Sequence, residues 1–409
     1  MTTVDVMTVG RSAREVLAWS RDLVEPSVRA AVDTLPSSML HIAGYHFGWW
    51  DEHRHLVQVT GGKAIRPTLA LLSAQAVGGT AVAALPAADA VELVHNHSLL
   101  HDDVMDGDLT RRHRPTTWSV FGVNAAILAG DALLVLALDV VAASGHPAAM
   151  DGTRMLSAAV QDLLDGQSAD LSFEQRAEVE LAECVRMAER KTAALLGCAC
   201  AVGAAFGGGR PEQVAQLRDF GMHLGLAFQH VDDLLGIWGD PAVTGKPVHS
   251  DLRSQKKSLP VVAALASETP AGRELAALYH RDQPLAETDA AHAGELIDLA
   301  GGRTWSQTQA DDLLAQAMQK LQSASPTPRA AAELGALARL ALIDDAGDMR
   351  PEWLDGVRVV GLTAGASAPP RLVDAVIATL AELGPVTVVE RETTRENIRF
   401  TVPLAVRRS

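Results

Sequence analysis

Twice in this chain an apolar helical run ends in adjacent aspartates, and that repetition restricts the fold more than any bulk property. The first run, Ala90 to Leu100, leads into Asp102, Asp103 and Asp106, trailed by Arg111 and Arg112. The second ends in Phe228-Gln229-His230-Val231-Asp232-Asp233-Leu234-Leu235-Gly236, with Asp240 four residues on. On a helix, positions i and i+4 share a face, roughly 6 Å apart along the axis. Carboxylates that close repel, and they do so most at a helix C-terminus, where the dipole is already negative. A solvated acidic helix end would tolerate one such cluster. Two of them, each followed by basic residues, point instead to opposing halves of one site that holds a divalent cation and a polyanion. Magnesium takes one or two carboxylates together with substrate phosphates and waters. Arginine pairs bidentately with phosphate oxygens. Facing helices of a bundle build such sites in their core.

Composition supports a bundle. Hydrophobic residues make up 48% of the 409, but aromatics only 4%, so the core must be Ala, Leu and Val. Ala and Leu favour helix over strand. The net charge of −15 argues against nucleic acid or an anionic membrane as partner. Cys184, Cys198 and Cys200 read as buried free thiols of a reducing compartment. With no signal-peptide pattern, the expected location is cytoplasmic. The apolar run Gly122 to Ala143 is interrupted by Asp131 and Asp139, so it reads as a buried core helix rather than a stable membrane insertion.

The remaining pattern is helical. Amphipathic segments Val9–Leu23 and Val28–Leu35 flank Pro26, and an aromatic stretch, Tyr45 to Trp50, reads as packing or a subunit contact. Further helices are predicted at Thr117–Gly130, Asp131–Ala143, Ala148–Gln167, Arg176–Ala205, Pro211–Leu235, Leu259–Ala266 and Thr304–Gln322. Gly61-Gly62-Lys63-Ala64-Ile65-Arg66-Pro67 places two cations at a helix start, where backbone N–H groups already favour anions. It is either a basic turn or half of a diphosphate cradle. Lys191, next to Thr192, is a snorkelling stem or a cation of the same cavity. Lys246 and Lys256 follow the second aspartate pair.

These motifs, in this order, resemble those of the trans-isoprenyl (polyprenyl) diphosphate synthases over roughly residues 20 to 340. The resemblance implies an all-α isoprenoid synthase bundle around a central cavity, usually a homodimer. It implies about three Mg²⁺ ions held by Asp102, Asp103, Asp106, Asp232 and Asp233. Arg111, Lys191, Thr192, Gln229, Lys246 and Lys256 would contact an allylic diphosphate: dimethylallyl, geranyl or farnesyl. Lys63, Arg66, His95 and Arg112 would cradle isopentenyl diphosphate without metal. Asp102, Asp103, Lys191, Asp232 and Lys246 are the implied catalytic set. Two departures stand out: Gly236 replaces the last aspartate of the second motif, which removes a carboxylate from that side, and His249 stands where the family commonly has Gly. By family analogy the positions just before Asp102, His97 and Ser98, set product length. A small Ser98 and an intermediate His97 imply the C20 product, geranylgeranyl diphosphate, ahead of C15.

After Leu340 the pattern changes to a predicted small α/β appendage, residues 341–409, with strands near 357–363, 386–389 and 398–402 and a helix from Arg371 to Leu383. It resembles the last third of hydroxymethylbutenyl diphosphate reductase, carried by Leu342 to Ala346, Pro351 to Leu354 and Leu362 to Pro369, with Ser367 at a diphosphate-contacting position. The rest of that enzyme is missing, including its three cluster cysteines, so no iron–sulfur cluster and no reductase activity are expected. Stability, dimer contacts, docking, or delivery of a C5 diphosphate remain as roles. Two rivals to the synthase reading stand: a class I terpene cyclase, which needs no second diphosphate cradle, and a non-catalytic regulatory subunit.

Overall fold

The computed structural model describes residues 10–57, 62, 64–112, 114–239, 248–281 and 284–340. Two units divide the chain at Ile343 and Asp344, and every described residue belongs to the first. The predicted appendage, with Ser367, lies outside the described residues, as do Lys63, Asp240 and Lys246.

The first unit is an all-α bundle. Its helices are α1 (Ala13–Val32), α2 (Ser37–His46), α3 (Ile65–Ala76), α4 (Leu85–Met105), α5 (Thr117–Phe121), α6 (Val123–Ala142), α7 (Ala149–Glu174), α8 (Leu181–Ala188), α9 (Ala194–Phe206) and α10 (Pro211–Trp238). Helices Leu259–Leu265, Pro270–Tyr279, Glu287–Leu299, Gly302–Ser323 and Pro328–Leu340 complete it. The central packing runs α10 against α9 and Gly302–Ser323, α3 against α9, and α4 against α6. The aromatic-poor composition shows in the core: Phe206 and Phe220 are wholly buried, and otherwise leucines such as Leu69, Leu93 and Leu224 fill it. Each such leucine contributes roughly 2 kcal/mol by leaving water.

Several predicted boundaries shift for physical reasons. Pro26 lies inside α1 rather than ending a segment. It is exposed, so water can satisfy the carbonyl freed by its missing N–H. Gly122, at φ 89°, divides α5 from α6, eight residues before the predicted break at Gly130. The single helix expected over Arg176–Ala205 begins only at Leu181 and contains a π-helical turn, Glu189–Ala193. A two-residue hairpin, Thr110–Arg111 paired with Arg114–Pro115, was not anticipated.

The largest correction concerns α6. It is not a fully buried core helix: 39% of its apolar window is buried, while Val123, Leu128 and Val135 are 44%, 55% and 67% exposed. One face packs on α4, and the other exposes these apolar side chains together with Asp131 and Asp139. By length and composition it is the one described helix able to cross a membrane. The aromatic stretch packs as expected. Phe47 stacks on Trp49 (4.8 Å between ring centroids), and Arg114 ties it to the hairpin through the carbonyls of Tyr45 (3.1 Å) and Trp50 (3.2 Å).

Candidate active site

The first aspartate cluster sits where its spacing placed it. Helix α4 ends at Met105, and Asp106 is the C-cap, its N–H bonded to the Asp102 carbonyl (2.8 Å). Asp102 and Asp103 therefore occupy the last turn, against the negative end of the helix dipole. Burial pushes the Asp102 carboxyl up to about 6, with Lys191 opposing and Asp106 adding to the rise. Asp103 is buried and already paired, accepting from Arg111 Nε at 2.6 Å. The hairpin thus folds Arg111 back onto the cluster it follows. In this arrangement Arg111 neutralises Asp103, and Asp102 and Asp106 remain for a cation.

The π turn carries Arg190, Lys191 and Thr192. Its wider backbone is a common device at functional sites. It packs on α7 at Gly166, where a Cβ would lie 2.4 Å from the Lys191 backbone nitrogen. That close approach lets Lys191 Nζ reach Asp170 at 2.5 Å. Asp170 was missed at the sequence level. Its only signal is Gln167-Ser168-Ala169-Asp170, two polar groups one turn apart on α7.

The second cluster closes α10. Thr192 Oγ1 donates to Gln229 Oε1 (2.5 Å), and Gln229 Nε2 donates to Asp233 Oδ1 (2.8 Å). Asp233 Oδ2 accepts from the backbone N–H of Leu259 (2.9 Å). Asp233, expected as a metal ligand, thus also joins the second helix end to two neighbouring elements. Both its oxygens are engaged, it is 3% exposed, and it caps the helix Leu259–Leu265. Burial pushes its carboxyl up to about 7, against the pull of Lys256. Asp232, its neighbour, acts electrostatically on Arg66 and Lys256.

Gly236 also reads differently in three dimensions. A Cβ there would lie 2.2 Å from Asp251 Oδ2. The carboxylate of Asp251 thus fills the space that a side chain at 236 would need. Lys256 Nζ stands 4.0 Å from the same Asp251 oxygen. Burial opposes the Lys256 charge, yet Asp251, Asp233, Asp170 and Asp232 together hold its pKa above the ordinary lysine value. Lys191 and Lys256 both act on Asp106. The two acidic helix ends, 130 residues apart in sequence (102 against 232), therefore share one electrostatic field.

A separate basic group gathers about His95, two turns before Asp102 on α4. Arg66 Nη1 is 3.4 Å from His95 Nε2. Arg112, at the hairpin turn with φ 50°, packs so closely on Gly62 that a Cβ would lie 2.5 Å from its guanidinium. Gly62 is thereby explained as close approach. Burial, with Arg66 and Arg112 adding to it, holds His95 well below the usual histidine value, and His46 is pushed down to about 3 for like reasons. Both imidazoles are therefore neutral at physiological pH and act as hydrogen-bonding groups. The countercharge is Glu92, buried beside Arg66 and Arg112 and bonded by Asn96 (3.0 Å). Sequence reading passed over Glu92, which shares the apolar first half of α4 with Asp89. A small cleft adjoins this group, lined by His46, Arg111, Arg112, Arg114 and Thr117 among others.

His97 and Ser98, the expected length-setting residues, are 2% and 8% exposed. His97 Nδ1 bonds the Gly130 carbonyl of α6 (3.0 Å), and Ser98 Oγ bonds the His95 carbonyl (2.9 Å). The three cysteines are free and buried, and burial pushes the thiols of Cys198 and Cys200 up to about 12.

Comparison with known proteins agrees with this geometry. Residues 50–299 match the polyprenyl synthetase family and residues 329–381 the LytB protein family. A (2E,6E)-farnesyl diphosphate synthase of Mycobacterium tuberculosis is 44% identical over 331 residues, 80% of this chain and 92% of that protein. A geranylgeranyl diphosphate synthase of the same organism is 45% identical over 304 residues, 74% and 87% of the two chains. The crystal structure of a polyprenyl synthetase from Streptomyces coelicolor superposes with a TM-score of 0.78 at 45% identity, covering 81% of this chain and all (100%) of that one. A geranylgeranyl pyrophosphate synthase of Corynebacterium glutamicum, solved with isoprenyl diphosphate and magnesium, superposes at 0.65 with 27% identity, covering 81% and 97% of the two chains.

Proposed function

This chain belongs to the polyprenyl synthetase family, and from that premise we propose that it is a Mg²⁺-dependent synthase joining an allylic diphosphate head-to-tail to isopentenyl diphosphate, with geranylgeranyl diphosphate as product. The observation that carries this reading is the pairing of two unlike anion sites along α4. One mixes Asp102, Asp106, Asp170 and Asp232 with Lys191 and Lys256. The other has Arg66, Arg112 and neutral His95, with one buried acid.

The donor set fits Mg²⁺. Its ligands are carboxylate oxygens, and burial leaves Asp102 in need of a cation. Asp102, Asp106 and Asp232 would hold it, and when bound it offsets charge on the departing diphosphate. Lys191 and Lys256 would stabilise the same leaving group, which takes the C–O electron pair as the bond breaks. Arg66, Arg112 and His95 would orient isopentenyl diphosphate so that its double bond attacks the allylic carbon. The proton then lost passes to the released diphosphate. An apolar helical cavity excludes water and supplies no competing nucleophile. The buried free thiols favour a reducing, cytoplasmic setting.

Incubation with Mg²⁺ and farnesyl diphosphate, with and without labelled isopentenyl diphosphate, tests the assignment. Elongated diphosphate is expected. Hydrocarbon formed without isopentenyl diphosphate would make the protein a cyclase, and inertness would make it a subunit that needs a partner.

Product length rests on Ser98. The two mycobacterial relatives are nearly equal in identity and carry different product names, so overall likeness does not choose between C15 and C20. Ser98 is small and leaves room, which supports C20. Ser98→Phe should shift the product toward C15, read by chromatography of the dephosphorylated alcohols, and an unchanged spectrum would remove Ser98 from this role. A homodimer is supported by the outer face of α6, whose exposed Val123, Leu128 and Val135 form an apolar surface of the kind that marks an interface. Sedimentation equilibrium should return twice the 43.2 kDa chain mass, and a monomer mass would refute it.

A further inference from the structure

Tyr45 and His46 close α2 and reach the hairpin of Arg112 and the helix of His95, yet no step of prenyl transfer uses them. Tyr45 Oη donates to the Pro115 carbonyl of the hairpin (2.9 Å), and Arg114 lies over its ring, 4.5 Å from the centroid. His46 Nε2 meets Asn96 Oδ1 of α4 at 3.1 Å. Asn96 Nδ2 then donates to Glu92 twice, to Oε1 (3.0 Å) and to the backbone carbonyl (2.8 Å). Given that Arg66, Arg112 and His95 hold isopentenyl diphosphate, we propose that His46 and Asn96 are positioning residues of that cradle: they fix the Glu92 carboxylate beside the two guanidiniums, and so fix the guanidiniums for the diphosphate.

The direction of the relay is set by chemistry. Both Glu92 oxygens that face Asn96 Nδ2 are acceptors, so the amide nitrogen belongs on that side and the amide oxygen toward His46. An amide oxygen only accepts, and His46 must therefore carry its proton on Nε2. Asn96 is 3% exposed, so a bond lost here leaves a buried polar group unpaired. Glu92 is where the relay acts on the cradle: among charged groups it exerts the strongest pull on both Arg66 and Arg112. Glu92 and Asn96 are i, i+4 on one face of α4, and His95, the neighbour of Asn96, meets Arg66 at 3.4 Å. The far end of the relay is held as well. Trp50 Nε1 donates to the His41 carbonyl (2.9 Å), which folds the aromatic stretch back on α2.

Steady-state kinetics of the full chain with Mg²⁺, varying isopentenyl and farnesyl diphosphate in turn, test the relay. Asn96→Leu nearly keeps the volume and removes every bond of the relay. Its KM for isopentenyl diphosphate should rise about tenfold, the scale of one hydrogen bond to a charged group. The KM for farnesyl diphosphate and kcat should stay at wild-type values, because only binding of the one substrate has been weakened. Two polar variants at His46 give the second reading. A glutamine Nε2–H can stand in for the imidazole Nε2–H, whereas the shorter asparagine cannot reach. His46→Gln should therefore keep the wild-type isopentenyl KM, and His46→Asn should raise it. An isopentenyl KM unchanged in Asn96→Leu, no difference between the two His46 variants, or an equal loss toward both substrates would overturn the relay. Arg66→Lys separates this failure from that of the cradle. If it raises the isopentenyl KM while Asn96→Leu does not, the relay alone is wrong; if neither raises it, the cradle assignment falls too.

Discussion

Asp102→Ala is expected to lower kcat about a thousandfold while leaving the thermal transition in place, the scale seen when one preorganised electrostatic partner of a transition state is removed. The reason lies in what its neighbours are already doing. Asp103 is held by Arg111 at 2.6 Å, and Asp106 is an exposed C-cap at the helix end. Without Asp102 the first helix end keeps only that one carboxylate for a cation. The second helix end is better supplied, because Asp251 stands against Gly236 and beside Lys256. Asp232→Ala should therefore cost less than Asp102→Ala. Steady-state kinetics at saturating Mg²⁺ check the ranking, and the reverse order would argue that Asp251 does not serve the cation.

Gly236 read alone as a lost acid and a weakened second side. Only the fold shows Asp251 in the space, because fourteen intervening residues (237 to 250) hide the proximity. The same limit explains the other omissions. The first cluster was legible because its partners are local: i, i+1 and i+4 on one helix. Asp170 and Glu92 form no acidic pair with a neighbour, and they gain meaning only from cations on other elements. The π turn under Lys191 has no sequence signature. Burial was misjudged on α6 because an apolar run looks alike whether it faces a core or a partner. The bonds of Asp233 to Gln229 and to the Leu259 N–H were likewise out of reach of the sequence, because they join different elements.

Glu333→Ala is expected to destabilise the bundle by about 3 kcal/mol, although residue 333 is far from every cation and acid of the candidate active site in sequence. Its side chain is 0% exposed and accepts from the Arg11 backbone N–H (3.0 Å), Arg11 Nη2 (2.7 Å) and Arg329 Nε (2.9 Å). Burial works against the charge, but these donors outweigh it and hold the carboxyl down at about 2, from 4.5. A shift of that size is worth about 3 kcal/mol. The sign follows from the lowered value. The contribution is complete above pH 4.5, where the unfolded carboxyl is also ionised, and fades as pH falls from there toward about 2. The stability gap between wild type and Glu333→Gln in urea should thus be widest near neutrality and narrow steadily below pH 4.5; a gap independent of pH would mean that Glu333 acts by packing. The location gives the result wider meaning. Glu333 lies in helix Pro328–Leu340, within the LytB match that begins at 329. Yet that helix packs on α1 and α3, and Thr327 just before it bonds the Ala76 carbonyl (2.8 Å). The bundle has absorbed the start of the second family's segment, and a truncation placed at 328 instead of after 340 would take this ion pair with it.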